Sequence, residues 1–148
     1  MPSTPPASAC RPGSLAGDLR VAITHTVRRV RLERSDDRLT DGQYSVLAAL
    51  ANNGPMTPTA LAEHEHVQPP PMTRTVNALA EAGLVCRGQH PTDGRQVLVS
   101  ITDAGMAEVR ETRRRRDEWL AARLAELDPA EREVLAQAAV LLRKVVGR

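Results

Sequence analysis

The stretch Leu84-Val85-Cys86-Arg87-Gly88-Gln89-His90-Pro91-Thr92-Asp93-Gly94-Arg95-Gln96-Val97-Leu98-Val99-Ser100-Ile101 decides the fold. Its two ends are rich in β-branched residues, and between them lies an Asp93-Gly94 pair suited to a tight turn, so it reads as a β-hairpin. Everything around it reads as helix. Gly83 ends the helix before it, and Thr102-Asp103 caps a helix after it.

Upstream, Met72, Val76, Leu79 and Ala80 form an apolar stripe at helical spacing, with Thr73, Arg74, Asn77 and Glu81 on other faces. This helix starts near Gln68 on Pro69, Pro70 and Pro71, which are tolerated because first-turn amides have no intrahelical partner. Thr57-Pro58 opens a helix of about two turns before it, with an N-cap and a first-turn proline. Thr40-Asp41-Gly42-Gln43 has the form of a capping box and starts a helix running to Asn52, with Tyr44, Val46, Leu47 and Leu50 as its apolar positions. A first helix carries Leu15, Leu19, Ala22, Ile23, Val27 and Val30 and is expected to end near Ser35. Residues 1–14 hold four of the 11 prolines and are expected to be a flexible leader. Downstream, a long helix carries Met106, Val109, Trp119, Leu120 and Leu124. Asp128-Pro129-Ala130-Glu131 opens a last one with Val134, Leu135, Ala138, Leu141, Leu142 and Val145.

Composition removes several classes of function. At 148 residues, 41% hydrophobic and 26% charged, the chain holds one packed domain or one protomer of an intertwined dimer, and is too short for a two-domain enzyme. Tyr44 and Trp119 are its sole aromatic residues, so stacking of unpaired bases has nothing to build with. The formal charge is only +2, so attraction to a polyanion must come from where charges sit. Every basic residue but Lys144 is arginine, whose planar fork suits phosphate oxygens and guanine edges. Cys10 and Cys86 make no disulfide framework, and no secretory or membrane-spanning apolar run is present, so a cytoplasmic location is expected. His64 and His66 lie two apart with no third ligand near them, so no metal is expected. No cofactor is expected either. The chain lacks a glycine-rich phosphate loop, a nucleophile elbow and a paired acid and base, and is expected not to be an enzyme.

The order of elements, mainly α with a small β-hairpin, is that of a helix-turn-helix followed by a wing, an architecture that reads double-stranded DNA. The second helix of such a pair fits the major groove, where Thr73, Arg74 and Asn77 could reach base edges and phosphates; otherwise they are the solvated face of an amphipathic helix. Arg95 stands just past the hairpin tip, where it could enter the minor groove, with Asp93 placed to hold its guanidinium. The same spacing serves an ordinary surface turn. The run Arg113–Arg116 covers the whole circumference of a helix, and Glu111 with Arg115, Arg113 with Asp117 and Arg114 with Glu118 have the spacing of ion pairs, so it is not expected to face DNA.

Leu79-Ala80-Glu81-Ala82-Gly83-Leu84-Val85-Cys86-Arg87 and Pro91-Thr92-Asp93-Gly94-Arg95 through Ile101-Thr102-Asp103-Ala104-Gly105 resemble the signature of the MarR family of bacterial transcriptional regulators. Ile101-Thr102 stands where that pattern has Leu-Thr. The resemblance implies a single domain over 15–148, with a winged helix-turn-helix at 40–102 and N- and C-terminal dimerisation helices at 15–35 and 103–148. It implies a homodimer, probing a palindromic double-stranded DNA operator as a repressor, with Thr73, Arg74 and Asn77 in the major groove and Asp93 with Arg95 in the wing. The prolines at 69–71 depart from the family's serine-rich helix start and remove amide donors that could have held a phosphate. A small aromatic effector is also implied, with His25, Arg28 and Tyr44 as candidate contacts. The alternatives are a winged-helix protein interaction module, or a redox-sensing regulator working through a cysteine such as Cys10.

Overall fold

The computed structural model describes residues 10–147. The expected leader therefore falls mostly outside the described residues. Among the described residues the elements are α1 (Pro12–Arg31), α2 (Asp41–Asn53), α3 (Pro58–His64), α4 (Pro69–Glu81), β1 (Val85–Gln89), β2 (Val97–Ile101), α5 (Asp103–Ala125) and α6 (Pro129–Val145). They fall into two compact units, one of residues 34–115 and the other of the described residues up to 33 together with those from 116 onward. No helix among the described residues is long and apolar enough to cross a membrane.

The unit of residues 34–115 is a winged helix-turn-helix. Its core is built from Val46, Leu47 and Leu50 of α2, Leu61 of α3, Val76 and Leu79 of α4, Val99 of β2 and Val109 of α5, all fully buried. Local chemistry sets each helix start. On α2 the Thr40 hydroxyl accepts from the Gln43 amide at 3.1 Å, and the Gln43 side chain accepts from the Thr40 amide at 2.9 Å. On α3 the Thr57 hydroxyl accepts from the Ala60 amide at 3.1 Å. The turn to α4 passes through His66 at φ 54, a left-handed conformation that histidine adopts more readily than branched residues do.

The strands pair antiparallel from Val85 opposite Ile101 to Gln89 opposite Val97. Met56 adds two backbone bonds to Val99, at 3.0 and 2.9 Å, tying the loop after α2 to the hairpin. The junction with α5 is close-packed. Thr102 donates its hydroxyl to the Gly83 carbonyl at 2.7 Å and its amide to the Leu84 carbonyl at 3.1 Å, while its oxygen accepts from the Gly105 amide at 3.1 Å. Gly105 has room for nothing larger, since a Cβ there would lie 2.2 Å from the Leu84 carbonyl oxygen.

In the second unit, α1 starts at Pro12, three residues before the apolar pattern begins at Leu15, with the proline in the first turn where its missing N–H costs nothing. It ends at Arg31 rather than near Ser35. Ser35 is drawn instead into the winged unit, where its amide donates to the Thr112 hydroxyl at 3.2 Å and its hydroxyl bonds Glu108. Neither α1 nor α6 has a single buried residue.

Candidate nucleic-acid interface

Burial of Met72, Val76 and Leu79 fixes which side of α4 faces the core, and Thr73, Arg74 and Asn77 are left exposed together on the other. The Thr73 hydroxyl donates to the Pro69 carbonyl at 3.1 Å, so its hydrogen is used within the helix and its lone pairs remain. Arg74 has no hydrogen-bond or ion-pair partner among the described residues. Asn77 accepts a hydrogen bond at Oδ1 from Arg87 Nη2 of β1. Arg87 lies within the stretch that resembles the family signature, and nothing in the sequence marks a role for it. The prolines at 69–71 occupy the first three helical positions, so this helix start lacks three of the amide donors that could have met a phosphate.

On the wing, Arg95 is exposed. The expected carboxylate–guanidinium contact is not what Asp93 makes: its Oδ1 accepts from the Arg95 backbone amide at 3.1 Å, and its carbonyl from the Gln96 amide at 3.0 Å. Two residues apart at a tight turn, the carboxylate finds the nearer backbone donor first. The guanidinium thus stays unpaired among the described residues. Arg95 borders a groove of about 510 Å³ that is also lined by Thr57, the N-cap of α3, and by Thr59 and Glu63 of that helix.

The arginine run of α5 is used internally. Glu111 pairs with Arg114 at 2.8 Å and with Arg115 at 2.9 Å. Hydrogen bonds from these two guanidinium groups hold its carboxyl well below the usual range, at about 2. Arg113, expected beside Asp117, donates instead to Asn52 Oδ1 at 2.8 Å. Arg115 also donates to the Arg34 carbonyl at 3.0 Å, and Arg116 to that of Glu33 at 3.3 Å.

Of the three effector candidates, Tyr44 belongs to one unit and His25 and Arg28 to the other. Tyr44 is part of the core of the winged unit. In the other unit His25 borders a largely apolar cavity of about 760 Å³, with Arg29 of α1, Trp119 and Leu120 of α5, and Arg132 and Leu135 of α6; Arg28 is not among its lining residues. The Arg29 guanidinium lies 4.5 Å from the Trp119 ring centre, and Trp119 Nε1 is buried without a hydrogen-bond partner. Cys10 and Cys86 are free and exposed. Among the described residues no group of three or more His, Cys, Asp or Glu is placed to hold a metal ion.

The model of the MarR family matches residues 39–97. A helix-turn-helix transcriptional regulator of Mycobacterium bovis is 47% identical over 132 residues, which are 89% of this chain and 92% of the relative. The chain belongs to the MarR family. Among solved structures, a Pseudomonas aeruginosa protein described as a transcriptional regulator aligns with a TM-score of 0.81 at 32% identity, covering 90% of this chain and 94% of its own. BpsR of Bordetella bronchiseptica, whose DNA binding is regulated by 6-hydroxynicotinic acid, aligns with a TM-score of 0.64 at 26% identity, covering 98% and 99%. This MarR-family chain is a DNA-binding transcriptional regulator with a winged-helix fold, and is not an enzyme.

Proposed function

We propose that this MarR-family regulator is a ligand-responsive repressor, bound as a homodimer to a palindromic operator in the cytoplasm. In this reading Thr73, Arg74 and Asn77 of each protomer enter the major groove, and the wing brings Arg95 to the minor groove with Asp93 holding its turn. One observation carries it. In the winged unit, where Arg34, Arg38, Arg87, Arg113, Arg114 and Arg115 are bonded internally, Arg74 on the helix and Arg95 on the hairpin keep unpaired guanidinium groups. The dimer is supported by the apolar residues left in solvent on α1 and α6, among them Leu19, Ile23, Val134, Leu141 and Val145, the last 81% exposed. A two-fold axis also matches a two-half-site operator.

The test is fluorescence anisotropy with a duplex from the DNA flanking the gene and a scrambled duplex, across a salt series. Preference for the native duplex with a steep salt slope is expected. Arg74→Ala should cost about 1–3 kcal/mol and relax preference at one base step per half-site. Arg95→Ala should weaken binding most where the flanks are A·T-rich. Equal binding by parent and both variants refutes the assignment.

Ligand response is supported by the cavity beside Trp119, whose basic rim of His25, Arg29 and Arg132 suits an aromatic acid, the class of compound that regulates BpsR. Release of the operator on titration with aromatic carboxylic acids, lost in Arg29→Ala, is the expected outcome.

A further inference from the structure

The contact between Arg87 and Asn77 joins the first strand of the wing to the groove-facing side of α4. We propose that Arg87 is a specificity-determining residue, holding the Asn77 amide so that α4 reads guanine rather than adenine at the step that Asn77 faces. The proposal rests on the DNA-binding reading above. Its physical basis is the direction of the hydrogen bond. A guanidinium has five donors and no acceptor, so only the carbonyl end of the Asn77 amide can face it, and the orientation of that amide is settled by chemistry.

An asparagine free of such a partner matches adenine with both ends of its amide, Oδ1 accepting from N6 and Nδ2 donating to N7. Here Oδ1 is turned to Arg87 and the NH2 group points away from it. One of the two Oδ1 lone pairs is taken, which weakens Oδ1 as an acceptor, so the surface is dominated by donors: the Asn77 NH2 group and the remaining Arg87 N–H groups beside it. Adenine sets its own N6 donor against that surface. Guanine offers two acceptors, O6 and N7. Both residues are exposed, so water competes for the bond in the free protein; at a desolvated interface the bond strengthens and the selection with it.

The experiment is selection from a random-sequence duplex library with four full-length chains: the parent, Asn77→Ala, Arg87→Ala and the double variant. The step at issue is the one whose base preference Asn77→Ala erases. There the parent should select guanine. Arg87→Ala should move that step toward adenine by about tenfold while the rest of the motif stays, because the freed amide regains its bidentate match. In the Asn77→Ala background, removal of Arg87 should change nothing at that step.

Adenine at that step in the parent overturns the proposal. So does an Arg87→Ala motif identical to the parent's, with uniformly weaker binding and a shallower salt slope, which makes Arg87 a phosphate contact. An Asn77→Ala chain with every preference intact overturns it as well. Failure of the parent to enrich any motif is a separate result that removes the DNA-binding reading and the proposal together.

Discussion

Gly105→Ala puts one methyl group into the most crowded glycine position among the described residues. The new Cβ would lie 2.2 Å from the Leu84 carbonyl oxygen and 2.8 Å from Ile101 Cγ1, where real Cβ atoms keep 3.0 Å or more. The side chain of Ile101 can yield. The Leu84 carbonyl is backbone, and it also accepts the Thr102 amide at 3.1 Å, so its retreat strains or breaks that bond. Overpacking of this kind costs about 1–3 kcal/mol, and loss of the hydrogen bond about 1 kcal/mol. Against this, alanine restricts the unfolded chain and returns about 0.4–1 kcal/mol. The net expectation is about 2 kcal/mol of destabilisation, which at an m-value of about 1–3 kcal/mol per molar urea lowers the unfolding midpoint by about 1 M. Gly42→Ala is the control. It makes the same change in the first turn of α2, where the nearest atom is 3.9 Å away, and should raise the midpoint slightly. The reasoning is refuted if the two variants shift together, or if Gly105→Ala melts at or above the parent.

Thr102→Val keeps the shape but loses both bonds of the hydroxyl, to the Gly83 carbonyl and from the Gly105 amide, and should cost about 1–2 kcal/mol in the same urea assay. His66 sits at φ 54, so His66→Val should destabilise by about 1 kcal/mol or more while His66→Gly should not; equal effects would remove backbone conformation as the cause. The Glu111 carboxyl titrates at about 2 in the folded chain against 4.5 ordinarily, so its contribution to stability is present above about pH 4.5 and lost as the pH falls toward 2. A carboxyl-carbon NMR titration reads this directly, and a midpoint near 4.5 would mean that the Arg114 and Arg115 contacts do not persist in solution.

Elements whose ends are set by neighbouring residues were legible in the sequence. The Thr40–Gln43 box, Thr57-Pro58, Gly83, the Asp93-Gly94 turn and Thr102 each act over four residues or fewer, and their partners can be read off the spacing. Exposure of Thr73, Arg74 and Asn77 followed from the stripe at Met72, Val76 and Leu79. What the sequence hid depends on residues far apart along the chain. Ser35 leaves the first helix because Thr112 and Glu108 take its polar groups. Arg113 turns to Asn52 rather than to the aspartate four residues on. Arg87 meets Asn77 only because β1 returns beside α4. At the Asp93 turn the spacing places carboxylate and guanidinium within reach, but the backbone amide of Arg95 takes the carboxylate.

The scarcity of aromatic residues also sorts the two units optically. The single tyrosine, Tyr44, is buried in the winged unit, and the single tryptophan, Trp119, lies in the other beside Arg29. Each unit therefore has its own chromophore. Excitation on the red edge of the indole band, where tyrosine does not absorb, reports on the surroundings of Trp119 in its own unit. Tryptophan emission therefore assigns melting and ligand titrations to that unit without a label.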